Sequence, residues 1–293
     1  MTRRFARALS VVVMAVIAVG SGFGVGGDVG VGVGVVQAAE GDYSRVPRGK
    51  LTQKPFRGIA LISIGDRVVC TGFVVGPRKV VTAAHCLVED ASQGRFQLKR
   101  GLPRRIRVYR GYSQATGGSA YRACGVSKAW AHAKFVRRGR KDSAYGSRVH
   151  DYAVLTTTCR FPRNAILRLW ATEAGDGQLL PGQRVRTAGY PADPRPRYAG
   201  MNGLNMWRTE GRVRPVGFEQ RHLRFTGFVA QGMSGAPLWR SFSQGSPCGR
   251  SQCVVAIVTE CAVNGDGLCQ QGNDTDRIGV RITPQVKQLI QKR

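Results

Sequence analysis

Short apolar segments rich in β-branched residues recur through the chain, and they restrict its fold more than any other feature. They lie at residues 59–64, 68–75, 79–82, 152–157, 183–189, 222–228, 237–239 and 254–258. Each has the length of a strand, and glycine and proline interrupt the sequence between them. Only residues 284–291 are typical of an amphipathic helix, because Val286, Leu289 and Ile290 share one face. Many short strands predict an all-β barrel or sandwich.

The N-terminal residues have the composition of an export signal. Three arginines precede an apolar run over residues 9–19, which is too short to span a bilayer. Small residues at 36–38 fit a signal-peptidase site that would leave Ala39 as the new N-terminus, and residues 18–20 are a second candidate. We therefore predict a signal peptide over residues 1–38. The many glycines and Asp28 argue against an uncleaved anchor.

The rest of the chain divides at about residue 55. Residues 39–55 are polar and basic and contain two prolines, so we interpret them as a pro-segment or an N-terminal strap. Neither an internal repeat nor a linker interrupts residues 56–293, which we treat as one domain. Residues 91–148 are dense in arginine at 95–110 and in basic residues at 137–141, and we expect long surface loops there.

The eight cysteines indicate an oxidising compartment, because an even number in an exported chain is typical of disulfides. Neither of the short spacings, Cys248 to Cys253 and Cys261 to Cys269, is a C-x2-C pair, and no histidine follows Cys248. A zinc site is therefore not expected. We predict a secreted or periplasmic protein without a metal.

The formal net charge of +28 favours anionic partners such as acidic lipopolymers, nucleic acid or acidic substrates. Abundant arginine can equally reflect a GC-rich genome, without any binding role. No arrangement of arginines with interleaved aromatic residues resembles a nucleic-acid module, so specific nucleic-acid binding is not expected.

Three segments carry the chemistry. Residues 81–86, VTAAHC, place His85 beside a cysteine, and a strand pair over residues 70–82 would bring Cys70 near Cys86. In residues 151–155, DYAVL, Asp151 stands at the mouth of an apolar strand, where a partly buried carboxylate can orient an imidazole. In residues 231–238, QGMSGAPL, glycines on both sides of Met233-Ser234 permit a sharp turn that exposes the hydroxyl.

Together these segments closely resemble the histidine, aspartate and serine motifs of the chymotrypsin-like serine peptidases, and they share that family's His, Asp, Ser order. Residues 187–191, TAGYP, resemble a segment of its bacterial glutamyl-endopeptidase-like branch. The resemblance covers roughly residues 56–293. It implies two six-stranded antiparallel Greek-key barrels followed by a C-terminal helix. The conjunction of three motifs is much more specific than any one of them.

The resemblance also implies a mechanism without a cofactor. His85, oriented by Asp151, would take the proton from Ser234 as its hydroxyl attacks a scissile carbonyl, and an acyl-enzyme would then be hydrolysed. The backbone N–H groups of Gly232 and Ser234 would form the oxyanion hole, each contributing about 3–4 kcal/mol to the transition state. A polypeptide would be the substrate, and we expect a monomer.

The predicted substrate-binding residues depart from known specificities. The set is Phe228, Gln231, Val258, Thr259, Glu260 and Gly279. Phe228 occupies the position six before the nucleophile, where an acid selects Lys or Arg, and Val258 replaces the histidine typical of glutamyl endopeptidases. These two residues favour an apolar or small side chain. Glu260 could attract a basic side chain or could face outward.

Two further departures concern activation and cross-linking. Met233 stands where an aspartate would pair with a freshly cut N-terminus, so that zymogen switch cannot operate. Arg45, Arg48, Lys54 and Arg57 remain as processing points or as ordinary solvated residues. For the cysteines we expect four pairs: Cys70–Cys86, Cys124–Cys159, Cys248–Cys253 and Cys261–Cys269.

Two other functions compete with an active endopeptidase. One is a catalytically silent homologue that binds anionic polymers through its arginine-rich surface, and the intact set of His85, Asp151 and Ser234 argues against it. The other is a lipase or esterase. The second glycine follows Ser234 directly, which is not the spacing of a nucleophile elbow.

Overall fold

The computed structural model describes residues 43–65, 67–91, 95–98, 102–119, 121–138, 148–172, 179–193, 200–215, 221–241, 248, 252–261 and 277–293. The predicted signal peptide over residues 1–38 lies outside this part. The described elements belong to one compact unit that begins at Ala38. Among the described residues, none of the helices has the length and apolar character needed to cross a bilayer.

Strands dominate the described chain. In chain order they are β1 (Tyr43–Arg45), β2 (Ile59–Ile64), β3 (Arg67–Gly76), β4 (Lys79–Thr82), β5 (Val88–Ala91), β6 (Arg95–Leu98), β7 (Ile106–Arg110), β8 (Tyr112–Ser113), β9 (Gly118–Ser119), β10 (Cys124–Ala131), β11 (Ala153–Thr157), β12 (Arg168–Leu169), β13 (Arg184–Gly189), β14 (Trp207–Arg212), β15 (His222–Phe225), β16 (Pro237–Ser241), β17 (Gln252–Cys261) and β18 (Arg277–Arg281). The helices are α1 (Arg48–Leu51), α2 (Leu102–Arg105), α3 (Ala133–Arg138) and α4 (Pro284–Lys292).

The N-terminal half of the domain is a closed antiparallel barrel of six strands in the order β10-β11-β4-β3-β2-β7. Its interior is filled by apolar side chains from alternate strand positions, among them Ile62, Val74 and Leu155, and all three are fully buried. This alternation is the period that a strand needs to present one face to a core. The ring order, in which the third strand pairs with the sixth, is a Greek key.

The C-terminal half repeats this arrangement. Its strands run β14-β13-β16-β17-β18-β15, and β1 adds to the outer edge of β14. A bridge between Val213 and Phe225 joins β14 to β15 and closes the ring, with backbone hydrogen bonds on both sides of it. The chain therefore forms the two antiparallel barrels and the C-terminal helix that the resemblance predicted.

A third apolar cluster lies between the barrels. Outward-facing residues of the first barrel, such as Leu61 and Phe73, pack with Tyr190 and Ile257 of the second and with Ile290 of α4. Burial of each such side chain contributes on the order of 2 kcal/mol. This cluster holds the two barrels together and so fixes the position of the loops that meet at their junction.

The C-terminal helix follows its sequence signals. Thr283 is the N-cap, its side chain accepts a hydrogen bond from the Val286 N–H at 3.2 Å, and Pro284 occupies the first turn. The buried residues Val286 and Ile290 face the inter-barrel cluster. The helix extends over Pro284–Lys292, one residue beyond the predicted 284–291.

The expectation of surface loops over residues 91–148 is wrong for part of that range. Strands β7 and β10 lie within it, and both belong to the first barrel. In β7, Ile106 and Val108 are buried while Arg107 is exposed. Arg110 is 7% exposed, its guanidinium lies 3.8 Å from the centre of the Tyr121 ring, and burial lowers its pKa. Much of residues 137–147 lies outside the described part.

Candidate active site

His85 and Asp151 are in direct contact. His85 lies in a single helical turn, Ala84–Cys86, immediately after β4, and Asp151 precedes β11. Because β4 and β11 are neighbouring antiparallel strands, the end of one and the start of the other meet. The His85 Nδ1 atom lies 2.6 Å from the Asp151 Oδ2 atom, and the His85 backbone N–H donates to Oδ1 at 2.9 Å.

The two bonds give Asp151 a double role. Its side chain is only 2% exposed, whereas that of His85 is 18% exposed. One carboxylate oxygen fixes the ring and the other fixes the backbone of the same residue. The bond at Nδ1 leaves Nε2 as the imidazole nitrogen that can accept a proton.

Ser234 lies on a turn that packs against the first barrel. Its carbonyl accepts a hydrogen bond of 2.9 Å from the Thr71 N–H of β3 and lies 3.9 Å from the Cys86 Sγ atom, next to His85. The following residue, Gly235, has a φ of +84° and donates its N–H to the Val258 carbonyl at 2.7 Å. The turn therefore connects the two barrels beside the histidine loop.

The Ser234 hydroxyl makes no hydrogen bond to any described residue, including His85. In serine peptidases such a bond often forms only when a substrate binds, so Ser234 stays the candidate nucleophile.

The Gly232 turn leaves two backbone donors available. Gly232 has a φ of +83°, in the left-handed region that glycine tolerates best. Its carbonyl accepts from the Thr71 hydroxyl at 2.7 Å. The N–H groups of Gly232 and Ser234 donate to no acceptor within the described part of the chain. An oxyanion hole at this turn, which remains a prediction, needs both N–H groups free of other acceptors.

Thr71 is a site residue that the sequence analysis missed. Its hydroxyl donates to Gly232 and accepts from the Tyr190 N–H at 3.0 Å, while its carbonyl accepts from the Thr82 hydroxyl at 2.7 Å. One fully buried residue thus joins the Ser234 turn and the end of β13 through its hydroxyl, and the strand before His85 through its carbonyl. In the sequence, only the position of Thr71 directly after Cys70 could have pointed to this role.

Tyr190 supports the same junction from the second barrel. It is fully buried, and its hydroxyl accepts a hydrogen bond from the Tyr112 N–H at 3.0 Å. Burial raises the pKa of Tyr190, so the hydroxyl stays neutral. The predicted TAGYP segment therefore packs beside the Gly232 turn.

The predicted substrate-binding residues have different environments. Phe228 is 3% exposed and its ring centre lies 4.7 Å from that of Tyr43. Val258 is fully buried and pairs with Gly279, while the Thr259 hydroxyl donates to the Ile278 carbonyl at 3.2 Å. Gln231 is exposed, and the Ala192 N–H donates to its carbonyl at 2.7 Å. The Glu260 side chain lies outside the described part.

Within the described residues, three disulfides join Cys70 to Cys86, Cys124 to Cys159 and Cys248 to Cys253. The first connects β3 to the turn that carries His85. The expected partner of Cys261, Cys269, lies outside the described residues. The cluster of Cys70, His85 and Cys86 has metal-ligand types, but its cysteines are bonded to each other and are not available as thiolates.

Two Greek-key barrels that meet at a His–Asp pair and a glycine-flanked serine define the chymotrypsin class of fold. The family model of the trypsin-like peptidase domain matches residues 70–249, and the chain belongs to that family. Family membership indicates a serine peptidase with polypeptide substrates.

Individual proteins agree with this assignment. The chain is 25% identical over 254 residues to the glutamyl endopeptidase of Bacillus licheniformis. The aligned region covers 86% of this chain and 67% of that protein. A solved structure of a Glu endopeptidase in complex with MPD superposes with a TM-score of 0.60 at 19% identity, covering 86% of this chain and 96% of the other. Mouse neuropsin, a serine protease, superposes with a TM-score of 0.56 at 15% identity, covering 84% and 96%. These structures support the fold.

Proposed function

We propose that the protein is a secreted serine endopeptidase in which His85, Asp151 and Ser234 form the catalytic triad. The observation that carries the proposal is the pair of bonds from Asp151 to His85, one to Nδ1 and one to the backbone N–H. They orient the imidazole so that Nε2 can act as a general base. The disulfides and the predicted signal peptide support export.

The proposed reaction needs no cofactor. Ser234 Oγ attacks the scissile carbonyl carbon as His85 Nε2 takes its proton, and the Gly232 and Ser234 N–H groups stabilise the resulting oxyanion. His85 then gives the proton to the leaving amine, which departs as the acyl-enzyme forms. Water hydrolyses the ester by the same acid–base route. Asp151 stabilises the imidazolium and keeps its own negative charge throughout.

The specificity pocket favours an apolar or small side chain before the scissile bond. Phe228 and Val258 are both buried in the apolar core of the second barrel, and neither offers a charge to a substrate. The name of the similar Bacillus protein suggests a preference for glutamate instead. Initial rates on peptides that differ only in that side chain decide between them. Peptides with leucine or alanine at this position should be cleaved faster than the peptide with glutamate. The reverse order would contradict the assignment of Phe228 and Val258 to the specificity pocket.

The test of the mechanism is intact mass after incubation with a fluorophosphonate, with Ser234→Ala as the control. We expect one adduct on the wild-type protein and none on the variant. The same spectrum gives the mature N-terminus and the number of disulfides. A correctly folded wild-type protein that forms no adduct would support a silent homologue. Its basic surface would then be the main functional feature.

A further inference from the structure

A cavity of about 640 Å³ opens on the second barrel, formed by the N-terminal segment and by strands β13, β14, β16 and β17. Its lining residues are Ser44, Lys50, Gln53, Lys54, Pro55, Phe56, Arg184, Arg186, Arg208, Thr209, Glu210, Trp239 and Gln252. The predicted triad and the predicted substrate-binding set contribute none of them. Its volume is within the range of sites that hold a small molecule, which corresponds to a few units of a longer chain.

Charge is the dominant feature of this cavity, because five of its lining residues are cations and one is an acid. The acid, Glu210, is shared: its Oε1 lies 2.7 Å from Arg184 Nε and its Oε2 lies 2.6 Å from Arg186 Nε. A single carboxylate neutralises only one of these two guanidinium groups.

The other three cations have neutral partners or none within the described part of the chain. Lys50 Nζ donates to the Gln53 side chain at 3.2 Å, and Arg208 Nε donates to the Ser44 hydroxyl at 3.0 Å. Lys54 forms no ion pair with a described residue. Cations gathered in one concave site without matching acids attract an anion more strongly than the same charges spread over a convex surface.

The remaining lining groups favour a sugar over a bare phosphate chain. Phe56 and Trp239 line the cavity but are only 8% and 2% exposed, and their rings pack edge to face with centres 6.2 Å apart. The Trp239 Nε1 atom is buried and donates to no described acceptor, and the Gln252 amide makes no hydrogen bond to a described residue. Neutral hydrogen-bonding groups without a protein partner match the hydroxyls of a carbohydrate.

We infer that this cavity binds an anionic polysaccharide, a sugar chain that carries sulfate, carboxylate or phosphate groups. The site is separate from the catalytic junction. Arg186 lies on β13 four residues before Tyr190, which directly follows the strand, and this is roughly 13 Å of extended chain; Tyr190 packs beside the Gly232 turn. Polysaccharide binding would therefore hold the protein on an anionic surface while the catalytic junction stays accessible.

The experiment measures the dissociation constant of a heparin octasaccharide by titration calorimetry at low salt. Both variants and their parent carry Ser234→Ala to prevent self-digestion. The test variant K50Q/K54Q/R208Q removes three cavity cations and leaves the Arg184–Glu210–Arg186 group intact. The matched control, R122Q/K128Q/R163Q, removes three exposed cations that do not line the cavity. Thermal midpoints establish that both variants are folded.

We expect the test variant to bind heparin at least about tenfold more weakly than the parent, and the control variant to change the affinity by less than about threefold. Equal losses in both variants would overturn the inference, because binding would then depend only on total charge. Inorganic polyphosphate of matched charge and neutral dextran complete the test. Weaker binding of both than of heparin supports the sugar assignment. If polyphosphate binds as tightly as heparin, the sugar assignment is overturned. If dextran binds as tightly as heparin, the role of charge is overturned.

Discussion

Gly235 offers the sharpest test of how the two barrels meet at the Ser234 turn. Its φ of +84° is in the left-handed region, and a Cβ atom there would lie within 3.0 Å of the Thr71 carbonyl oxygen, the Thr82 Oγ1 and the Ala83 nitrogen. Two of these atoms belong to the backbone and cannot rotate away. Gly235→Ala must therefore move the serine turn away from the strand and loop that carry His85.

The expected loss in the free energy of unfolding of Gly235→Ala has two contributions. An alanine in the left-handed region costs about 1–2 kcal/mol of the free energy of unfolding. The steric overlap adds about 1–3 kcal/mol, the usual range for overpacking a filled interior. Gly182→Ala is a matched control, because Gly182 has a φ of +82° and open space around its Cβ position. It should show the first contribution alone.

Urea unfolding of the wild type and both variants measures these free energies, with tryptophan fluorescence as the signal. We expect Gly235→Ala to be less stable than Gly182→Ala by about 1–3 kcal/mol. The rate at which a fluorophosphonate phosphonylates Ser234, with loss of fluoride, should fall about a hundredfold in Gly235→Ala, the effect of a displacement of about 1 Å at a reacting group. This rate should not change in Gly182→Ala. Equal stability of the two variants, together with a wild-type phosphonylation rate in Gly235→Ala, would refute the packing argument.

Three further predictions address the site and its support. Asp151→Asn should slow phosphonylation by the fluorophosphonate by about 10⁴-fold, because an amide cannot hold the imidazole as the carboxylate does; a loss below tenfold would contradict the proposed role of Asp151. Thr71→Val should lower the free energy of unfolding in urea by about 1–3 kcal/mol, since it leaves a buried carbonyl and a buried amide without their partner. An unchanged midpoint would show that these bonds are replaced. Thr283→Ala removes the cap of α4 and should cost about 1 kcal/mol in the same assay, without an effect on phosphonylation.

The sequence predicted the strands that are short, nearly continuous runs of apolar and β-branched residues. Residues 79–82 coincide with β4, and residues 254–258 lie within β17. It failed for β7, where arginines alternate with isoleucine and valine and hide the strand pattern within a basic stretch. Composition suggested a solvated loop there. The barrel instead buries the face formed by Ile106, Val108 and Arg110 and leaves Arg107 of the other face in solvent.

Local motifs identified the catalytic candidates, because each chemical group lies within a few residues of a recognisable turn. Contacts between distant segments were not accessible in the same way. Thr71 meets Gly232 across 161 residues of chain, and only the closed barrels place them together. The cationic cavity draws on residues from Ser44 to Gln252, so no single stretch of sequence carries its pattern.

The short strand β1 has a consequence for maturation and for recombinant production. Its three residues pair with β14 from Tyr43–Thr209 to Arg45–Trp207, and the Val46 N–H continues the contact with the Met206 carbonyl. A polypeptide that starts after Arg48 would leave the outer edge of β14 with unpaired backbone groups. Such an edge is a template for pairing with another chain. Proteolysis after Arg45 or Arg48 would therefore favour self-association, and a soluble product should retain Tyr43.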